Sequence, residues 1–316
     1  MKIRTLYDFF SNRIFLKGLF HADYRIQLPE KRILITADLD EPSFNSHVQK
    51  LIEMLSRYRA ALTVFSPNMS MNGETGYEVL KRIHEFAKKH DLPLEIASHS
   101  MIHDLLGNEK IVETIRESVF SFRDNGMLVS GFRAPHLSTE GFYRNMLREI
   151  GREDGIIKYD SSVSFEGSLF ISRMHDFFSW KSPHTVANIW ELPISCLDDY
   201  HLFVKLQRDE QFVCEYWKRK IDMSLRKYNY FLLLVHPEVI GRRLSVLENI
   251  IIYCQKKHST ARHVTCLELV SELNKMKKRS DSADEGPCDI KASPEGAHSE
   301  ISGHTTSYFG KNSTHG

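Results

Sequence analysis

Two aspartates, Asp38 and Asp40, follow directly on the apolar run Ile33-Leu-Ile-Thr-Ala37. Residues two apart on a strand face the same way. Two carboxylates at one spot repel, so they are tolerated where a cation sits between them or where one titrates at working pH. A solvated acidic turn is the competing reading. His99 and His103 stand four residues apart in Ser98-His-Ser-Met-Ile-His103, after another apolar run. One helical turn would bring both imidazoles to one face. Two neutral imidazoles and a carboxylate form a ligand set that holds a divalent metal and leaves positions open for water and substrate.

Three further clusters carry reactive side chains. In Gly131-Phe-Arg-Ala-Pro-His136, Arg133 could clamp Asp38 and keep it ionised, because a guanidinium pairs well with a carboxylate. Pro135 would fix the backbone so that the amide of His136 points at a developing oxyanion. An ordinary surface turn with a salt bridge is the alternative. In Lys158-Tyr-Asp-Ser-Ser162, Asp160 either orients a catalytic imidazole or caps the next helix. His236 ends Phe231-Leu-Leu-Leu-Val-His236 and is placed to act as a general acid. Standing alone, it would read as a core histidine.

Positioning these groups requires a scaffold. Short apolar runs alternate with segments of helical period from Lys31 onward, the pattern of repeated β-α units. Strands are expected at residues 33–36, 61–65, 94–97, 128–132, 156–159, 189–193 and 231–235, the last buried on both faces. Helices are expected at 45–58, 75–90, 109–124, 140–150, 210–227 and 244–257. About seven parallel strands interleaved with helices predict an α/β fold, a distorted (β/α) barrel, with the reactive residues at the C-terminal strand ends, where barrel enzymes place their active sites.

The chain has 316 residues, 41% of them hydrophobic, enough for one large or two medium domains. Its 42 Lys and Arg balance 41 Asp and Glu, so no broad field favours nucleic acid as a partner. Five cysteines form no C-x-x-C pair and read as reduced thiols. Residues 1–30 are expected to pack on a barrel domain at 31–275. Arg4, Asp8, Arg13 and Lys17 interrupt the apolar residues before Phe20, so neither a signal peptide nor a membrane span is read there, and a cytoplasmic location is expected. Peripheral membrane contact by this segment is the alternative to packing. Residues 276–316, rich in Ser, Gly, His and acids, are expected to form a disordered tail.

Together and in this order, the five clusters resemble the polysaccharide deacetylase family, also called carbohydrate esterase family four or the NodB-like domain, over roughly residues 31–275. The resemblance implies Asp38 as catalytic base, Asp40, His99 and His103 as metal ligands, and Arg133 as the clamp on the base. It also implies the His136 amide after Pro135 as oxyanion donor, His236 as acid, and Asp160 as its partner. Leu39 separates the two aspartates, which leaves Glu41 as an alternative to Asp40. His136 stands where the family carries tyrosine. The implied activity is metal-dependent removal of an N-acyl group, usually acetyl, from an amino sugar or glycan. Zinc is the first choice for the metal, and cobalt, manganese, iron and nickel suit the same ligands. Two other functions compete: hydrolysis of a cyclic ureide or imide on the same barrel, and glycan binding without catalysis.

Overall fold

The computed structural model describes residues 24–69, 75–103, 111–137, 157–163 and 182–284. Ten strands run through the described residues: β1 (Tyr24–Arg25), β2 (Arg32–Asp38), β3 (Leu62–Ser66), β4 (Leu94–Ser98), β5 (Gly131–Phe132), β6 (Tyr159–Asp160), β7 (His184–Val186), β8 (Ile189–Glu191), β9 (Tyr230–Val235) and β10 (Arg262–His263). They form one sheet in the order β1-β7-β8-β6-β5-β4-β3-β2-β10, with β9 also on β2. All pairings are parallel except those of β7 with β1 and with β8.

The helices among the described residues are α1 (Ser46–Arg57), α2 (Tyr77–Lys89), α3 (Ile111–Asp124), α4 (Glu210–Tyr228), α5 (Pro237–Ile240), α6 (Leu244–Lys257) and α7 (Cys266–Asp284), with a π-helix at Tyr200–Lys205. Local chemistry sets their ends. Asn45 accepts from the amides of His47 and Val48 to start α1, and Asp209 accepts from Phe212 to start α4. Asn229 takes the left-handed conformation that ends α4.

Strand β2 is buried along its whole length. Its odd residues Ile33, Ile35 and Ala37 join the core formed with the helices, through Leu51, Leu80, Val119 and Trp217. Its even residue Leu34 joins a second core with Phe65, Ala97, Tyr159, Trp190, Leu232 and Leu234. A rolled sheet with helices outside produces this division, because side chains alternate between faces. Leu269, Val270 and Leu273 of α7 fill one end of the inner core. Gly131 faces Tyr159 so closely that a Cβ there would overlap the phenol ring. The sheet is the expected parallel α/β architecture, and no ladder closes it among the described residues. Hydrogen bonds from the segment after β8 to β9 bridge the opening, among them Ser195 N–H to Leu232 O at 3.0 Å, Leu232 N–H to Ser195 Oγ at 2.9 Å and the Tyr230 hydroxyl to Pro193 O at 3.0 Å.

Several expectations are corrected. The strand expected at 128–132 is reduced to Gly131–Phe132, and Leu128 is 85% exposed, because the chain joins the sheet only after the turn at Gly126. The short strands β1, β7 and β10 were not expected. The helix expected at 140–150 lies outside the described residues. Chain contacts divide the protein into a unit at Met1–Met276 and another at Lys277–Gly316. Of the second, Lys277–Asp284 is described, and it is helical. Among the described cysteines, Cys196, Cys214, Cys254 and Cys266 are free thiols. No helix among the described residues is long and apolar enough to cross a membrane.

Candidate active site

Strand parity aims the reactive groups. Leu34, Thr36 and Asp38 share one face of β2, and Leu232, Leu234 and His236 share the matching face of β9 and its end. Ala97 on β4 directs His99 the same way. Asp38, His99, Arg133 and His236 therefore converge at the C-terminal end of the inner core.

Arg133 is fully buried and donates four hydrogen bonds from its fork. Nη1 donates to Asp38 Oδ1 at 2.6 Å and to Thr36 Oγ1 at 3.0 Å, while Nε and Nη2 donate to the carbonyl and hydroxyl oxygens of Ser161 at 2.9 and 2.8 Å. Its guanidinium carbon lies 3.9 Å from the centre of the Phe65 ring. The planar fork thus fixes one oxygen of Asp38. The other, Oδ2, lies 3.9 Å from His99 Nε2.

His99 Nδ1 lies 2.8 Å from the carbonyl oxygen of Arg133 and must donate to it. That bond leaves the lone pair on Nε2. Burial lowers the imidazole to about 4, so it is neutral at physiological pH, as a metal ligand must be. His103 Nε2 is 3.2 Å from Asp40 Oδ1, and the His99 and His103 rings are 5.1 Å apart. One potential ligand atom from each of Asp40, His99 and His103 lies within 4.8 Å of the others. The donor set fits a divalent cation. Desolvation, partly offset by His236, raises the Asp40 carboxyl above its usual range, and Asp38 adds repulsion that a cation would relieve.

The two histidines are not on a helix, as their spacing had suggested. Ser100 takes a left-handed conformation at φ 78°, and the loop is pinned by Asn68 N–H to Ser100 O and by Met69 N–H to Met101 O. Pro135 is buried and opens a short turn in which His136 (φ 55°) and Leu137 (φ 53°) are both left-handed. His136 is exposed, with its ring 4.4 Å from that of His103.

The carboxylate bonded to His236 is Asp199, not Asp160. His236 Nδ1 lies 2.7 Å from Asp199 Oδ1, and the His236 amide donates to both oxygens of Asp199 at 3.0 Å. Burial alone would lower His236, but Asp199, Asp198 and Asp38 outweigh it and raise the imidazole to about 10. Asp160 instead accepts from the amide and hydroxyl of Ser162, whose Oγ accepts from the Ala134 amide. Through Ser162 it is linked to the chain just after Arg133, and burial raises its carboxyl to about 7. Asp198, Asp199 and His236 also come within ligand distance of one another. Because His236 Nδ1 already bonds to Asp199, that group is arranged to hold a proton. Asp199 escaped the sequence reading although it stands in Leu197-Asp-Asp-Tyr200, a pair of acids seven and eight residues past the end of β8.

No family model matches the sequence, and no curated protein matches it. Among solved structures, the chain is similar to a protein assigned as a polysaccharide deacetylase from Mycobacterium smegmatis, with a TM-score of 0.60 and 17% identity over 81% of this chain and 95% of that one. A second, assigned as a polysaccharide deacetylase from Pseudomonas aeruginosa, has a TM-score of 0.52 and 16% identity over 77% of this chain and 89% of that one. The chain has the polysaccharide deacetylase fold.

Proposed function

We propose that the protein is a metal-dependent hydrolase that removes an N-acyl group, most simply acetyl, from an amino sugar or glycan. The observation that carries this reading is the meeting of three groups at one strand edge: the Asp40, His99 and His103 set, Asp38 held by Arg133, and His236 held by Asp199. Asp40, His99 and His103 would hold the cation, with zinc as first choice. Such an ion polarises an acyl carbonyl and acidifies water.

The chain's own residues supply the rest. Asp38 has one oxygen fixed by Arg133, so Oδ2 takes the proton from the attacking water. The oxygen of that water bonds to the acyl carbon, and negative charge gathers on the former carbonyl oxygen. The left-handed turn after Pro135 carries the His136 amide as the donor for that charge. Asp199 holds Nδ1 of His236, so Nε2 delivers a proton to the leaving nitrogen as the C–N bond breaks. The products are a free amine and a carboxylate.

Sugar is favoured over a cyclic ureide because Tyr200, 40% exposed, lies with its ring 5.9 Å from His236 and offers an aromatic face beside the proton donor. The test is acetate release from a panel of N-acetylated sugars and oligosaccharides, with cyclic ureides alongside, before and after chelation and zinc addition. Release from sugars that chelation stops and zinc restores is the expected result. Ring opening of the ureides alone would overturn the substrate class, and no turnover of either would overturn the enzyme reading.

A further inference from the structure

The proton-donor side of the site holds more buried acid than one Asp–His pair requires. Asp198 and Asp199 are adjacent and both buried, an arrangement that is costly unless each carboxylate is paired. Asp199 is taken up by His236 and by the Tyr200 amide at 2.9 Å. Asp198 has its own imidazole. Its Oδ1 accepts from the His201 amide at 2.8 Å, and its Oδ2 lies 2.7 Å from His201 Nδ1. Hydrogen bonding to His201, against the opposing effect of burial, holds the Asp198 carboxyl below its ordinary range. An ionised carboxylate only accepts, so His201 Nδ1 carries the hydrogen. His201 Nε2 then faces Lys205 Nζ at 3.4 Å, and an ammonium only donates. Lys205, His201 and Asp198 thus form a directed chain ending beside Asp199.

The backbone that carries this chain is unusual. Tyr200–Lys205 is a π-helix, closed by Leu206 N–H to His201 O at 2.9 Å, while Leu202 N–H bonds to Asp198 O at 3.1 Å. Such wide turns are rare and frequent at functional sites. Here the wide turn lets one side chain, His201, reach back to Asp198 while Asp199 reaches forward to His236.

We propose that His201 is a positioning residue for the proton donor: its bond to Asp198 fixes the Asp198–Asp199 peptide so that Asp199 meets both the backbone and the ring of His236. The inference rests on His236 being the acid of the proposed reaction. The charged groups that face His236 are Asp199 and Asp198 from this turn, and Asp38 and Asp40 from the end of β2. A loosened turn would weaken the first two and leave the others.

The test uses the whole protein and follows the His236 ring by NMR across pH, together with the pH profile of hydrolysis. His201→Ala should lower the His236 titration, and with it the alkaline limb, by about one pH unit. It should reduce turnover by about tenfold to a hundredfold. Metal content should not change. His201→Asn, whose amide can still donate to Asp198, should restore the titration. An unshifted His236 in His201→Ala, or a pH-independent loss that asparagine does not rescue, would overturn the inference. Should His201→Ala fail to fold, His201→Phe serves, because it fills the same space and keeps the Asp198 charge but offers no side-chain donor to Asp198: a lowered His236 titration supports the inference, and an unmoved one refutes it. The NMR titration needs no substrate, so its shift in a protein that hydrolyses nothing would sink the proposed reaction and leave the positioning role standing.

Discussion

Replacing Arg133 with methionine removes four hydrogen bonds and the guanidinium partner of a carboxylate that is 4% exposed. Breaking a buried ion pair from one side typically costs about 3–5 kcal/mol, because the remaining charge is left without compensation. Against a typical total stability of about 5–15 kcal/mol, that is a large share. Asp38→Asn keeps the shape and an acceptor oxygen for the guanidinium, so its cost should be nearer 1–3 kcal/mol, by the usual penalty for a mismatched buried polar group. In the double variant neither charge remains, and the combined loss should fall short of the sum by at least about 1.5 kcal/mol, within the range measured for side chains in direct contact. Urea unfolding of all four proteins, stripped of metal with a chelator, gives the cycle. Costs that add to within about 0.5 kcal/mol would mean that the 2.6 Å contact carries no coupling and that Arg133 does not hold Asp38.

The ligand and base roles separate by substitution: Asp38→Asn should retain metal by elemental analysis yet lose about a hundredfold to ten-thousandfold in turnover, the usual contribution of a general base. Asp40→Asn and the paired His99→Ala, His103→Ala change should lose metal instead, and excess zinc should recover part of the Asp40→Asn activity. Asp199→Asn removes a main support of the raised His236. The ring should fall from about 10 to its ordinary 6.5 or below, costing about thirtyfold at pH 8 from lost protonation alone and little at pH 6, as a pH profile would read. Because folding raises His236, the stability it contributes is full below pH 6.5 and fades as pH rises through about 10. Glu95 is raised by burial from 4.5 to about 7, so its favourable contribution is present below pH 4.5 and lost as pH rises through 7. Glu95→Gln should flatten this dependence, worth about 3 kcal/mol across that interval, in urea midpoints measured at pH 4.5 and pH 8.

The long strands were legible because burial on both faces leaves a continuous apolar run, as in β2 and β9. Alternation then brought Asp38, His99, Arg133 and His236 to one edge without further information. What escaped was short or long-range. β7 and β10 have three and two residues, too few for any period to register. Asp199 acquires its meaning from a histidine 37 positions away, a pairing that no local pattern encodes. The His99–His103 spacing suggested a helix because four residues make a helical turn; the left-handed Ser100 gives the same ring proximity by another path.

The pairing of β2 with β9 joins Ile33 to Phe231 and Ala37 to Val235. A ribosome adding about 5–20 residues per second needs roughly 10–40 s to make the intervening chain. Throughout that interval the nascent β2, apolar on both faces, lacks its longest partner, and of its sheet neighbours β3 alone is made early enough to pair with it. Synthesis of this protein thus leaves a sticky strand waiting for its mate, so holding factors at the ribosome exit, or slowed growth temperature, should govern its soluble yield more than any stabilising change in the finished fold.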